Sequence, residues 1–114
     1  MDTVQIVKFV RDKLLAQGCK SMDEGGHNCR YRGVEGNKCA IGYLIKDEYY
    51  KEKLEGRLVE DSLVTEAVEK SLGVELTEHG VDILKRVQTL HDSYLVREWE
   101  EGFEEIIRQL TGGS

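Results

Sequence analysis

The sequence predicts a mostly α-helical α+β protein in which about four amphipathic helices pack around one small central β-hairpin. Three observations lead there. Apolar residues recur at three- and four-residue steps in the first and last thirds of the chain. Ser, Thr, Asp and Gly stand where such stripes begin and end. One stretch, residues 28–45, "NCRYRGVEGNKCAIGYLI", breaks the helical period and gathers three glycines.

The elements follow in order. Residues 2–17 carry Val4, Val7, Val10 and Leu14 on one face, widened by Ile6 and Phe9, with Gly18 as the stop. Residues 18–28 have the Gly, Asp, Ser and Asn content of a loop. "CRYR" alternates in the manner of a half-buried strand, "GVEGN" supplies a glycine-rich turn, and "KCA" is the expected returning strand. "AIGYLI" reads either as more strand or as a short buried helix. Asp61 or Ser62 caps a helix running to Leu72 and stopped by Gly73. Thr77 caps the next, with Ile83, Val87, Leu90 and Tyr94 as its stripe. The last, about 95–110, sets Trp99, Phe103, Ile106, Ile107 and Leu110 on one side.

At 114 residues the chain is expected to form a single domain over 1–114. A chain of this length buries roughly two-thirds of the surface its unfolded form exposes, enough for a core without staples. Hydrophobic residues make up 39% and charged residues 33%, which fits a folded rather than a disordered chain. No apolar run reaches the ~18 residues of a membrane span. Charges interrupt the N-terminal apolar residues, so no secretory signal is expected and the cytoplasm is the expected location. Three cysteines, an odd number, then read as reduced thiols.

The net charge is −6 and lies in the second half: residues 51–114 hold fifteen Asp/Glu against eight Lys/Arg. That excludes the basic footprint of a nucleic-acid binder. The acidic run "EWEEGFEE" reads as a solvated helix face or as a surface for a basic partner.

Three chemistries can be drawn from residues 19–45. In the first, Cys19, His27, Cys29 and Cys39 form a zinc site, although their spacing contains no C-x₂-C knuckle. In the second, Cys39 is a nucleophile at a helix start and His91, on the edge of an apolar face, is its base. Asp92 is not expected to orient His91, because adjacent helical residues lie ~100° apart. In the third, Arg30 and Arg32 project from one face of the strand, with Tyr31 opposite, and recognise a partner. Each has a plain counterpart: cysteines packed as small apolar groups, a hydrogen-bonded structural histidine, and arginines paired with the chain's own acids.

Several of these residues together resemble a family of small phage and prophage proteins, to which no activity, cofactor or catalytic residue is attached. The match is carried by C-x-Y-R-G-x-x-G-x-x-C-A-x-G-x-L-I, from Cys29 to Ile45, together with Ser21, Asp47, Tyr50, Glu55, Gly56, the Leu90-His91-Asp92 run and Trp99. The family's glutamine falls here at Gln88, not beside Leu90. The resemblance implies a bacteriophage setting and a host-directed role, such as host takeover or countering a defence system.

The expectation is a non-enzymatic protein that binds a host or phage protein, as monomer or homodimer. Its contacts are expected at Arg30, Tyr31 and Arg32 and at Glu98, Glu101 and Glu105. A Cys39/His91 hydrolase or transferase and a zinc-stapled module are the alternatives.

Overall fold

A computed structural model describes residues 1–112. Four helices carry the fold: α1 (Thr3–Gln17), α2 (Ser62–Leu72), α3 (Glu78–Ser93) and α4 (Trp99–Thr111). The local chemistry at their ends explains where they start and stop. The Asp2 carboxylate accepts the Gln5 N–H at 2.8 Å while the Gln5 side chain accepts the Asp2 N–H at 2.8 Å, a reciprocal cap on α1. Gly18, at φ 71°, ends that helix by donating its N–H to the Leu14 carbonyl. Asp61 accepts the Leu63 N–H to open α2, and Thr77 accepts the Gly80 N–H to open α3. A 3₁₀ turn, Val96–Glu98, leads into α4.

The helices bury the stripes that the periodicity marks. Ile6, Val7, Val10 and Leu14 of α1, Val64 and Val68 of α2, Ile83, Leu84, Val87 and Leu90 of α3, and Trp99, Phe103 and Ile106 of α4 form one core. α1 packs on α4 and α3, and α3 packs on α4. Tyr94 departs from the expected stripe: α3 ends at Ser93, and Tyr94 is about half exposed. The Cα radius of gyration, 13.2 Å, is that of a compact body of this length.

Residues 18–61 do not form the expected hairpin. Among the described residues there is no strand, only two isolated antiparallel bridges, Met22 with Cys29 and Arg32 with Lys38. The turn itself is tight, with Glu35 at φ 60° and Gly36 at φ 76° and the Asn37 N–H returning to the Val34 carbonyl. The ladder stops there because side chains take the backbone groups that further strand pairing would use. Gln17 at the end of α1 accepts the Lys38 N–H and donates to the Lys38 carbonyl, both at 2.9 Å. The Glu55 carboxylate accepts the Tyr31 and Arg32 N–H groups at 2.8 and 3.1 Å. The backbone is satisfied without a sheet. "AIGYLI" resolves as a buried 3₁₀ turn, Ile41–Leu44, followed by two more, Asp47–Tyr49 and Glu52–Leu54.

Two glycines let this segment fold onto itself. A Cβ on Gly42 would lie 2.0 Å from the Tyr31 carbonyl oxygen, and one on Gly33 would lie 2.6 Å from the Met22 carbonyl oxygen. Neither has a positive φ. The requirement at both is room for a neighbouring backbone.

Candidate functional site

The sequence points to three places, and the structure gives each a definite geometry. The first surrounds His91. Its ring is fully buried and stacks on Trp99, with centroids 5.5 Å apart and planes 23° from parallel. The Ser21 backbone N–H donates to His91 Nε2 at 3.1 Å, and Nδ1 lies 2.7 Å from Asp92 Oδ1. A backbone N–H can only donate, so Nε2 carries the lone pair and Nδ1–H donates to Asp92. The imidazole is therefore held as the neutral Nδ1–H tautomer.

Asp92 orients its neighbour's ring after all. Nδ1 is the ring nitrogen nearest the backbone, and it stays within reach of a carboxylate one residue on despite the helical rotation. Gln88 completes the arrangement by donating from Nε2 to Asp92 Oδ1 at 3.0 Å while its Oε1 accepts the Ile41 N–H at 3.0 Å. Through Ser21 and Ile41, α3 grips both the loop after α1 and the buried 3₁₀ turn. Ser21 and Gln88 are the contributors that local sequence patterns give no means of pairing with His91.

This geometry bears directly on the two alternative chemistries. Cys39 is fully buried, and its Sγ accepts the Gly42 N–H at 3.3 Å. Burial, above all, pushes its thiol well above the ordinary cysteine range. A nucleophile needs thiolate and access, and Cys39 has neither. His91, whose lone pair is given to Ser21, does not act as its base. Both members of the alternative Cys39/His91 pair are thus engaged in hydrogen bonds within the chain.

The zinc ligands expected at Cys19, His27, Cys29 and Cys39 are not brought together. Cys19 is exposed, Cys29 is partly buried and Cys39 is enclosed. Cys29, His91 and Asp92 do converge, with ligand atoms within 4.8 Å of one another. Metal at Nδ1 would move the proton to Nε2 and set it against the Ser21 N–H, two donors facing each other. The three donors would leave the fourth position of a tetrahedron to a water. Cys29 has its thiol pushed up to about 11, first by burial and then by the Asp92 carboxylate.

The second place is the arginine pair. Arg30 Nη2 lies 2.6 Å from Glu52 Oε1 and 3.6 Å from Glu55 Oε2, and its Nε donates to the Arg32 carbonyl. That Arg30 bond holds the Glu52 carboxyl below its usual range. Arg32 Nη2 pairs with Asp47 at 2.7 Å and donates to the Ile45 carbonyl, and its guanidinium lies 4.3 Å over the Tyr50 ring. Tyr31 is buried and its hydroxyl donates to the Arg57 carbonyl. Glu55 is the hub, accepting two backbone N–H groups and the Tyr50 hydroxyl. Both guanidinium groups are engaged within the chain, so they do not present the open fork that was expected of them.

The third place is the outer side of α3 and α4. Glu98, Glu101 and Glu105 are exposed and line one wall of a groove with a volume of about 850 Å³. Leu90, Gly102 and Ile106 lie at its floor, and Lys85, Arg86 and Arg108 also border it. Leu90 and α4 approach closely: a Cβ on Gly102 would fall 2.4 Å from Leu90 Cδ1. Tyr94, at the groove, and Leu95 beside it are 49% and 52% exposed, an apolar pair with no cover in the monomer. Lys85 and Thr89 also border a smaller cleft of about 350 Å³ that opens beside Cys29 and Asp92, under the exposed Leu58.

No family model, curated protein or solved structure matches the chain. Among the described residues no helix is long and apolar enough to cross a membrane.

Proposed function

We propose that this protein is a non-enzymatic binding protein that docks a second protein on the outer face of α3 and α4. The observation that carries this reading is the groove between those helices, where a wall of exposed acids stands beside an uncovered Tyr94 and Leu95. Aromatic and aliphatic side chains left open at the edge of a charged cleft are the usual composition of a protein contact. The interior chemistry supports the same reading from the other side, since both candidate catalytic groups are committed to structural hydrogen bonds. The phage setting implied by the "CRYRG" resemblance makes the partner a host or phage protein, and host takeover or anti-defence the role.

Of the two contact surfaces read from the sequence, Glu98, Glu101 and Glu105 belong to the proposed face. Arg30, Tyr31 and Arg32 are engaged within their own loop by Glu52, the Arg57 carbonyl and Asp47. Charge reversal separates them. Affinity capture from a bacterial lysate, with crosslinking through Lys85 in the groove, is expected to yield a partner that the doubly reversed Glu98→Lys, Glu101→Lys protein fails to hold. The reversed protein should retain its melting temperature, because exposed charges on a helix add little to stability. If the crosslinked partner persists at undiminished yield after that reversal, the proposed face is wrong.

A further inference from the structure

The shape and charge of the groove say what kind of element it accepts. This inference rests on the binding reading above and names the partner's chemistry. The α3 wall runs from Asp82 to Leu90 and the α4 wall from Glu98 to Gln109. At 1.5 Å per residue the α4 wall is about 16 Å long, three helical turns. Two neighbouring helices with side chains at three- and four-residue steps leave a straight furrow of the kind that a third helix fills. Its floor is apolar and its rim is charged, which asks for an amphipathic occupant rather than an extended polar one.

The charges at the rim fix the sign. Lys85 pairs with Glu60 at 3.8 Å and Arg108 with Glu105 at 2.5 Å, while Arg86 donates to the neutral Gln109 side chain at 2.8 Å and keeps its charge. Among the described residues Asp82 and Glu101 have no ion pair or hydrogen-bonding partner. Glu98 gives one oxygen to the Leu95 N–H and is otherwise exposed. Along the lining four acids, Asp82, Glu98, Glu101 and Glu105, stand against three cations, Lys85, Arg86 and Arg108, so the groove is net negative, in a chain whose net charge is −6. A second copy of this chain would meet it with like charge.

We infer that the α3/α4 groove receives a basic amphipathic helix of a partner protein, with its apolar stripe on Leu90, Ile106 and Tyr94 and its lysines or arginines against Asp82, Glu98 and Glu101. The geometry follows from spacing. Glu98 and Glu101 lie one turn apart, so cations at i and i+3 or i+4 on an opposing helix meet them in register.

The test uses the whole chain, labelled with ¹⁵N, and three synthetic probes. The first is an eighteen-residue Leu/Lys peptide patterned as an amphipathic helix, the second has the same composition in scrambled order, and the third replaces Lys with Glu in the helical pattern. The first is expected to shift amide resonances within residues 82–109 and to saturate. The scrambled and acidic peptides should bind at least tenfold more weakly, and Glu98→Lys, Glu101→Lys should weaken the first peptide by a similar factor. Equal binding by the scrambled peptide would overturn the helix inference while leaving the face in place as a site for basic partners. Shifts mapping outside the groove, or no saturable shift, would overturn it as well. The crosslinked-partner experiment judges the broader binding reading separately, since that partner could still be held at Lys85 when the helical peptide fails.

Discussion

Replacing His91 with alanine is expected to destabilise the protein by about 4 kcal/mol, the upper range for a single side chain. Two losses combine. The fully buried ring is removed from its stack on Trp99, leaving a cavity where a close-packed contact stood. The Ser21 N–H loses its acceptor at a site where Ser21 is itself buried, and an orphaned buried donor costs about 1–3 kcal/mol. His91→Phe separates the two. It keeps the volume and the aromatic stack and should cost about 2 kcal/mol, the hydrogen-bonding share alone. Urea unfolding of the two variants checks both figures. A His91→Ala loss below about 1 kcal/mol would fit a surface residue and not this one.

Gly42→Ala is expected to cost about 3 kcal/mol, as severe overpacking does. The new methyl would stand 2.0 Å from the Tyr31 carbonyl oxygen and 2.9 Å from its carbon, so it meets backbone rather than the end of a flexible side chain. Relief requires residues 39–45 to draw away from Tyr31. That movement breaks the Cys39 N–H bond to the Tyr31 carbonyl. It also gives the substitution a second signature. The Cys39 thiol, enclosed in the native protein, should become reactive toward a maleimide or Ellman-type reagent in Gly42→Ala before global unfolding. Gly80→Ala serves as the control, because its added Cβ meets only side-chain atoms at ordinary contact distance.

The helices were legible because their causes are local. Asp2, Asp61 and Thr77 cap the residues that follow them, Gly18 and Gly73 end what precedes them, and the stripes bury as the three- and four-residue steps require. The hairpin was misread for the opposite reason. "CRYR" and "KCA" have strand-like alternation and the turn between them is real, but Gln17 and Glu55, 21 and 24 residues away in sequence, occupy the backbone groups a ladder would need. No pattern within the stretch announces them. His91 shows the same limit. Its place on the edge of an apolar face was readable, whereas its acceptance of the Ser21 N–H depends on how the loop after α1 meets α3. The acidic character of Glu98, Glu101 and Glu105 was readable too. The groove they border arises only when Leu90 settles against Gly102.

The proposed binding at the outer face goes with a structural role for His91 and its Ser21 and Asp92 hydrogen bonds. The most direct measurement is a long-range ¹H–¹⁵N spectrum of the His91 imidazole, recorded before and after adding zinc. The predicted result is a single neutral tautomer, protonated at Nδ1 and bare at Nε2, unchanged by the metal. An Nε2–H tautomer, or a His91 signal that moves on stoichiometric zinc, would contradict it and return Cys29, His91 and Asp92 to the chemistry of the site.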